Sequence, residues 1–172
     1  MTTPGDMARL VFLLETVERE GRHLLTTTAR LFRRPIDAAW IDVLEQDIEL
    51  AERLDAFVSR FARMQDTLGD KLVPELRRQL LETPGAALDN LNRMEKLGLL
   101  SSVLDWVEAR NLRNRLVHEY QRDADDFAGA LIRARELVPL LVDTYNRINS
   151  YSRQRFASDD SPWPPVLPGP RG

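Results

Sequence analysis

Hydrophobic residues recur along most of this chain at steps of three and four residues, the spacing that places them on one face of an α-helix. The first stripe ends before Pro35 and comprises Leu10, Leu13, Leu14, Val17, Gly21, Leu24, Leu25, Thr28, Leu31 and Phe32. The second follows Asp37, whose carboxylate can cap a helix, and comprises Trp40, Leu44, Ile48, Ala51, Leu54, Val58, Phe61 and Leu68. The pattern therefore predicts two long helices, with Gly69 ending or bending the second.

Shorter helical pieces are predicted in the middle of the chain. Over residues 70–81 the stripe shortens, and Pro74 indicates a separate or kinked helical piece. Thr83 followed by Pro84 is typical of a helix start, and Gly98 is placed to close that helix in the left-handed conformation.

The next helix is predicted from an acidic variant of the capping box, in which Ser102 precedes Asp105 by three residues. Its predicted buried side consists of Val103, Trp106, Val107, Leu116 and Val117. This helix carries the candidate functional residues.

A last long helix is predicted from Asp123 or Asp126 to about Phe156, with a kink at Pro139. Residues 157–172 show no period and many prolines, so they are expected to form a disordered tail outside the core. No segment alternates as a strand does. The sequence thus predicts an all-α fold, an antiparallel up-and-down bundle of four to five main helices in residues 1–156.

Composition excludes several kinds of site. The chain has no cysteine, which rules out disulfides and thiolate metal ligands, and its two histidines, His23 and His118, are too far apart in sequence to suggest a zinc site. We therefore expect no metal and no cofactor. Neither a signal peptide nor a membrane span is predicted, and a cytoplasmic location is expected.

The net charge of -3 argues against a surface that coats nucleic acid generally, but a local basic patch remains possible. Lys71 and Lys96 are the only lysines among 24 basic residues, and base composition of the genome is a sufficient explanation for the many arginines. The densest patch precedes His118. Its phosphate-binding side chains are Arg110, Arg113, Asn114 and Arg115.

Helical geometry constrains how these side chains can cooperate. Each helical residue advances about 100°, so Arg110, Asn114 and His118 line one ridge. Arg113 lies five residues before His118, roughly 140° around the helix. Either the helix frays near His118, or the reach of arginine closes the gap, or a second subunit completes the site.

The chemistry that suits this set is cleavage of an RNA phosphodiester. An imidazole can transfer the proton of the ribose 2′-hydroxyl or of the leaving group, and an arginine can stabilise the developing phosphoryl charge. Paired carboxylates are weaker candidates, because Asp125 and Asp126 fit a helix start and Asp159 and Asp160 lie in the tail.

Residues 113–120 resemble the Arg-x4-His-x-Tyr signature of HEPN proteins (higher eukaryotes and prokaryotes nucleotide-binding), in the HepT toxin branch. Asn114, the polar residue after the arginine, also fits this signature. Residues 63–71 resemble, less specifically, the second helix of some HepT-like proteins.

This resemblance implies the toxin of a type VII-like toxin–antitoxin system, a metal-independent ribonuclease with catalytic Arg113 and His118 in a cleft formed across a homodimer. It also implies a nucleotidyltransferase antitoxin, which can disarm the toxin by transferring AMP to Tyr120. Asn114 would support the site. Arg110 and Arg115 are added as RNA-phosphate contacts because of their spacing and charge.

Two other functions stay open at this point. The same cleft could belong to a non-catalytic module that binds a nucleotide or presents Tyr120 to a nucleotidyltransferase partner, which the acidic net charge slightly favours. The chain could also be a helical adaptor with neither activity.

Overall fold

The computed structural model of the chain describes residues 4–118, 123–157 and 162–169, and the side chains of all of these except residues 4–6 and 118. Within this part the fold is entirely helical, which confirms the predicted all-α bundle. The helices are α1 (Pro4–Leu31), α2 (Ala38–Asp42), α3 (Ile48–Asp66), a π-helical segment (Thr67–Leu72), α4 (Val73–Gln79), α5 (Ala87–Lys96), α6 (Val103–His118) and α7 (Ala124–Phe156).

The core lies between α1, α3, α6 and α7. Helix α1 packs along α3 and α7, and α6 packs on α7 and α3. Phe57 and Phe61 of α3 are completely buried and stacked with ring centroids 5.8 Å apart, and Tyr145 of α7 is equally buried. The apolar faces of these helices are thus covered by one another, and no helix in the described ranges is long and apolar enough to cross a membrane.

The predicted continuous helix from Trp40 to Leu68 is wrong, because the chain breaks it after Asp42. Asp47 starts a new helix, and its carboxylate accepts a hydrogen bond from the backbone N–H of Leu50 at 3.1 Å. A second capping side chain in the middle of the stripe thus competes with helix continuation. Ile48, predicted to be buried, is 71% exposed in the first turn of α3.

Gly69 neither ends nor caps the helix that contains it. The chain passes from α3 through the π-helical segment into α4 without leaving a helical path, and the backbone N–H of Val73 donates to the carbonyl of Leu68, five residues back. Pro74 explains this wider turn, because proline cannot donate a hydrogen bond and its ring would clash with the carbonyl four residues before it. The helical piece expected around Pro74 is therefore α4.

Several predicted helix ends are confirmed by their hydrogen bonds. Asp37 accepts from the N–H of Trp40 at 2.9 Å, and Ser102 accepts from the N–H of Asp105 at 3.1 Å. Gly98 has a φ of 74°, the left-handed conformation expected at a helix end.

The predicted start of α5 at Thr83 and Pro84 is too early, since the helix begins at Ala87. Asn90 holds the preceding loop by accepting from the N–H of Gly85 at 2.9 Å and donating to its carbonyl at 3.1 Å. These two hydrogen bonds satisfy the backbone N–H and carbonyl of Gly85, so this part of the loop needs no helical hydrogen bonds.

Helix α7 begins after Asp123, which caps it, and ends at Phe156, as predicted. Pro139 lies inside the helix, and the kink expected there stays a prediction. The prediction that the tail stays outside the core is wrong for residues 162–169, here called the strap. The strap folds back along α7, and its Leu167 is only 2% exposed. The sequence pattern missed it because its polar contacts are made by backbone groups, which leave no trace in hydrophobic periodicity.

Candidate functional site

The predicted buried side of helix α6 is confirmed at Val103, Trp106 and Leu116, and it is wrong at Val107 and Val117. Val107 and Val117 are 39% and 54% exposed. The buried positions are Val103, Trp106, Ala109, Leu112 and Leu116. These follow one another at three- and four-residue steps, so they form a single stripe toward α3 and α7, and the two valines lie beside it.

Arg113 and Arg110 lie on the side of α6 that faces the end of α3 and the π-helical segment. Arg113 forms an ion pair with Asp66, and the side chain of Arg113 is 25% exposed. Arg110 lies farther out, with 3.8 Å between its Nη1 and Oδ1 of Asp70. Two candidate arginines are thus held by carboxylates that come from one stretch of the neighbouring helix.

The other motif residues are positioned differently. Asn114 and Arg115 are exposed on α6, and His118 is the last residue of that helix. Tyr120 and the side chain of His118 lie outside the described part of the structure. The structure therefore brings together Arg110 and Arg113, and it puts the whole arginine-to-histidine span on one continuous helix.

A second group of polar residues lies beside Asp66, toward the inside of the bundle. Next to it, Thr67 is buried and its hydroxyl lies 3.0 Å from Oε1 of Glu20 on α1 and 3.1 Å from the carbonyl of Arg63. Oε2 of Glu20 is buried and has no hydrogen-bond partner within the described part of the chain. We call Glu20, Asp66, Thr67, Asp70, Arg110 and Arg113 the Asp66–Arg113 cluster.

Burial raises the pKa of the Glu20 carboxyl above its ordinary value of 4.5, although the hydroxyl of Thr67 and the charges of Arg63 and Lys71 oppose the shift. The charge of Asp66 adds to the increase. The folded chain therefore retains the proton of Glu20 more readily than the unfolded chain does. Glu20 contacts Thr67, which is next in sequence to Asp66, the partner of Arg113.

Glu20→Gln is expected to stabilise the chain at neutral pH, because burial disfavours the charged carboxylate and the substitution removes that charge. The folded-state pKa of Glu20 is raised, so its contribution to stability is complete below about 4.5 and is lost as the pH rises through the folded value. The gain from the substitution should thus grow between pH 4.5 and 7. Urea unfolding at both pH values measures it.

Glu15→Gln, at an exposed position on the same helix, is the matched control and should show no comparable pH-dependent gain. Equal gains at both pH values for Glu20→Gln would contradict the role of burial.

Gln65 ties the two helices of the site together. Its side chain is buried, and its Nε2 donates to the backbone carbonyl of Ala109 at 3.2 Å. Since Asp66 directly follows Gln65, this hydrogen bond fixes the position of Asp66 along α6 relative to Arg113. Sequence reasoning missed Gln65, Asp66 and Glu20 as site residues; the available signal was that Asp66 and Asp70 have nearly the same spacing as Arg110 and Arg113.

Within residues 4–118, 123–157 and 162–169, no three histidine or acidic side chains come close enough together to hold a metal ion. The guanidinium groups of the cluster can bind phosphate by hydrogen bonds and charge, and its carboxylates pair with them and partly offset that charge. None of the protein-family models, curated proteins or solved structures compared with the chain matches it.

Proposed function

We propose that this chain is a HepT-like toxin, a ribonuclease that cleaves RNA without a metal ion and uses Arg113 and His118 as its catalytic pair. The observation that carries the proposal is the placement of Arg113. Its side chain is a quarter exposed and paired with Asp66 of α3, and it lies on α6, the helix that ends in His118. A fixed but accessible guanidinium is what stabilisation of a phosphoryl transition state requires.

The ion pair with Asp66 leaves room for substrate. Asp66 contacts Nη1 of Arg113, and a guanidinium has five N–H donors, so other donors can bind a phosphate oxygen. In the proposed reaction, a base removes the proton of the ribose 2′-hydroxyl, the 2′-oxygen attacks phosphorus and the 5′-oxygen leaves with a proton. His118 transfers one of these protons, and Arg113 stabilises the charge on the phosphoryl oxygens.

The partners proposed with this function are a second copy of the chain and a nucleotidyltransferase antitoxin. A homodimer would bring His118 of one copy near Arg113 of the other, which resolves the 140° offset on a single helix. Tyr120, two residues after His118 in the sequence, is the proposed site of AMP transfer by the antitoxin.

The test uses the purified chain, an RNA oligonucleotide, and the same oligonucleotide with 2′-deoxyribose throughout, all in EDTA. We expect cleavage of the RNA only, with a 2′,3′-cyclic phosphate on one product and a 5′-hydroxyl on the other, because the deoxy strand lacks the nucleophile. Cleavage of both strands, or loss of cleavage in EDTA, would contradict the proposed chemistry.

The non-catalytic module is the second candidate, and one observation favours it. Asp66 and Asp70 offset the charges of Arg113 and Arg110, which weakens the attraction of the cluster for RNA. A chain that cleaves no RNA, but gains the mass of AMP on Tyr120 when the nucleotidyltransferase and ATP are supplied, would establish this function instead.

A further inference from the structure

The strap occupies a groove whose polar side chains bind peptide backbone. The hydroxyl of Tyr145 donates to the carbonyl of Pro165 at 2.7 Å, and Nδ2 of Asn149 donates to the carbonyl of Pro164 at 3.0 Å. Arg153 also donates to the carbonyl of Pro164. Three side chains spaced at four-residue steps on α7 thus bind the carbonyls of an extended chain running in the opposite direction.

Leu167 anchors the strap at the far end of this groove. Asn146 binds both of its backbone groups, donating to the carbonyl at 2.9 Å and accepting from the N–H at 2.8 Å. The leucine side chain enters a pocket over Gly21 of α1, where an added Cβ would collide with Cδ1 of Leu167 and lie 3.1 Å from Cε of Met64. The pocket therefore exists only because position 21 has no side chain.

The strap leaves the groove incompletely satisfied. Asn149 and Ser152 are 0% exposed, yet Oδ1 of Asn149 and Oγ of Ser152 have no hydrogen-bond partner among the residues that the structure describes. Nε1 of Trp163 on the strap is also buried without a partner in the described part of the chain. Pro164 and Pro165 pass this point, and proline has no N–H to donate, so the strap cannot supply what a buried acceptor requires.

We propose that the groove between α1 and α7 is a docking site for an extended peptide of a partner protein, and that the strap is a weaker resident ligand which this peptide displaces. The partner peptide has a leucine at the position of Leu167 and a residue with a backbone N–H at the position of Pro164. That N–H binds Oδ1 of Asn149, and the carbonyls of the peptide take the places of those of the strap. This inference does not depend on the proposed ribonuclease.

The probe is a fluorescent peptide with the sequence of residues 162–169, compared with its Pro164→Val form, which retains apolar volume and adds the N–H. Binding is measured by anisotropy on the full-length chain carrying Leu167→Asp, which expels the strap and opens the groove. We expect the Pro164→Val peptide to bind about tenfold more tightly, since it satisfies a buried acceptor. A Pro168→Val peptide controls for the loss of proline stiffness and should bind no more tightly than the parent.

Two glycines provide a matched control on the protein. Gly21→Ala in the Leu167→Asp chain fills the leucine pocket and should abolish binding, whereas Gly129→Ala, with nothing within 4 Å of its added Cβ, should leave it unchanged. Circular dichroism verifies that each variant is folded. If Gly21→Ala does not fold, a Leu167→Ala peptide tests the same pocket and should bind at least about tenfold more weakly.

The unaltered chain should also bind the Pro164→Val peptide, but more weakly, because the tethered strap competes at an effective concentration of about 1 mM. Equal binding of the parent and Pro164→Val peptides would overturn the proposal, as would dimers of the unaltered chain formed by exchange of straps, which would identify the occupant as a second copy.

Discussion

RNA cleavage by the Arg113→Ala variant is expected to be slower by about 10²- to 10³-fold, because a transition state that loses one fixed cationic donor loses stabilisation of that order. Asp66 is paired with the guanidinium, so in the proposed reaction the donor would need no prior reorganisation. His118→Ala is expected to slow the same step by about 10²- to 10⁴-fold, since the proton transfer loses its catalyst. Single-turnover kinetics on one RNA oligonucleotide measures both.

Arg147→Ala is the matched control for Arg113→Ala. Arg147 is an exposed arginine on α7 that is also paired with an aspartate, Asp143, at 2.9 Å, so the substitution makes the same charge change away from α6. Each variant should remain folded, because a partly exposed ion pair contributes only about 0–1 kcal/mol. In cells, growth arrest by overexpression should persist with Arg147→Ala and disappear with Arg113→Ala or His118→Ala. Equal toxicity of all four proteins would eliminate the catalytic assignment.

Trp106→Ala is expected to lower the free energy of unfolding by about 3–5 kcal/mol, a large part of the total of about 5–15 kcal/mol that domains possess. Trp106 is 2% exposed, and its ring covers Gly69, where an added Cβ would lie 3.2 Å from Cζ2 of the indole. Removal of the ring leaves a cavity between α6 and the π-helical segment that the rigid helices cannot close. The midpoint of urea unfolding measures the loss.

Leu104→Ala provides the comparison on the same helix. Leu104 is 83% exposed, so its truncation should change the free energy of unfolding by less than about 0.5 kcal/mol. If both substitutions destabilised the chain equally, the packing of α6 against Gly69 would not be the cause.

Local chemistry explains which parts of the fold were predictable. Asp37, Ser102 and Asp123 form their caps with residues two or three positions away, so the sequence around each one contains the whole interaction. Gly98 likewise needs only its own backbone freedom. The break before Asp47 was missed because the apolar stripe is regular on both sides of it. A regular stripe predicts one continuous helix even where it contains a residue that can cap a new one.

Non-local contacts explain the rest. Arg113 was recognisable from its motif, but its partner Asp66 is 47 residues away, and no periodicity relates the two. The strap was unpredictable for a similar reason: Tyr145 falls within the predicted last helix, whereas the use of its hydroxyl to hold Pro165 depends on a chain reversal that hydrophobic patterns do not encode.

The number of residues in the π-helical segment determines whether Asp70 faces Arg110. Removal of Leu68 or Gly69 would let an ordinary helical turn form and would shift Asp70 by one residue toward Asp66, about 100° around the helix. Asp70 would then turn away from Arg110 while Asp66 kept its place beside Arg113. A related chain that lacks one residue at this point would therefore pair only Arg113 with a carboxylate of this stretch, whereas a chain of the present length pairs both arginines.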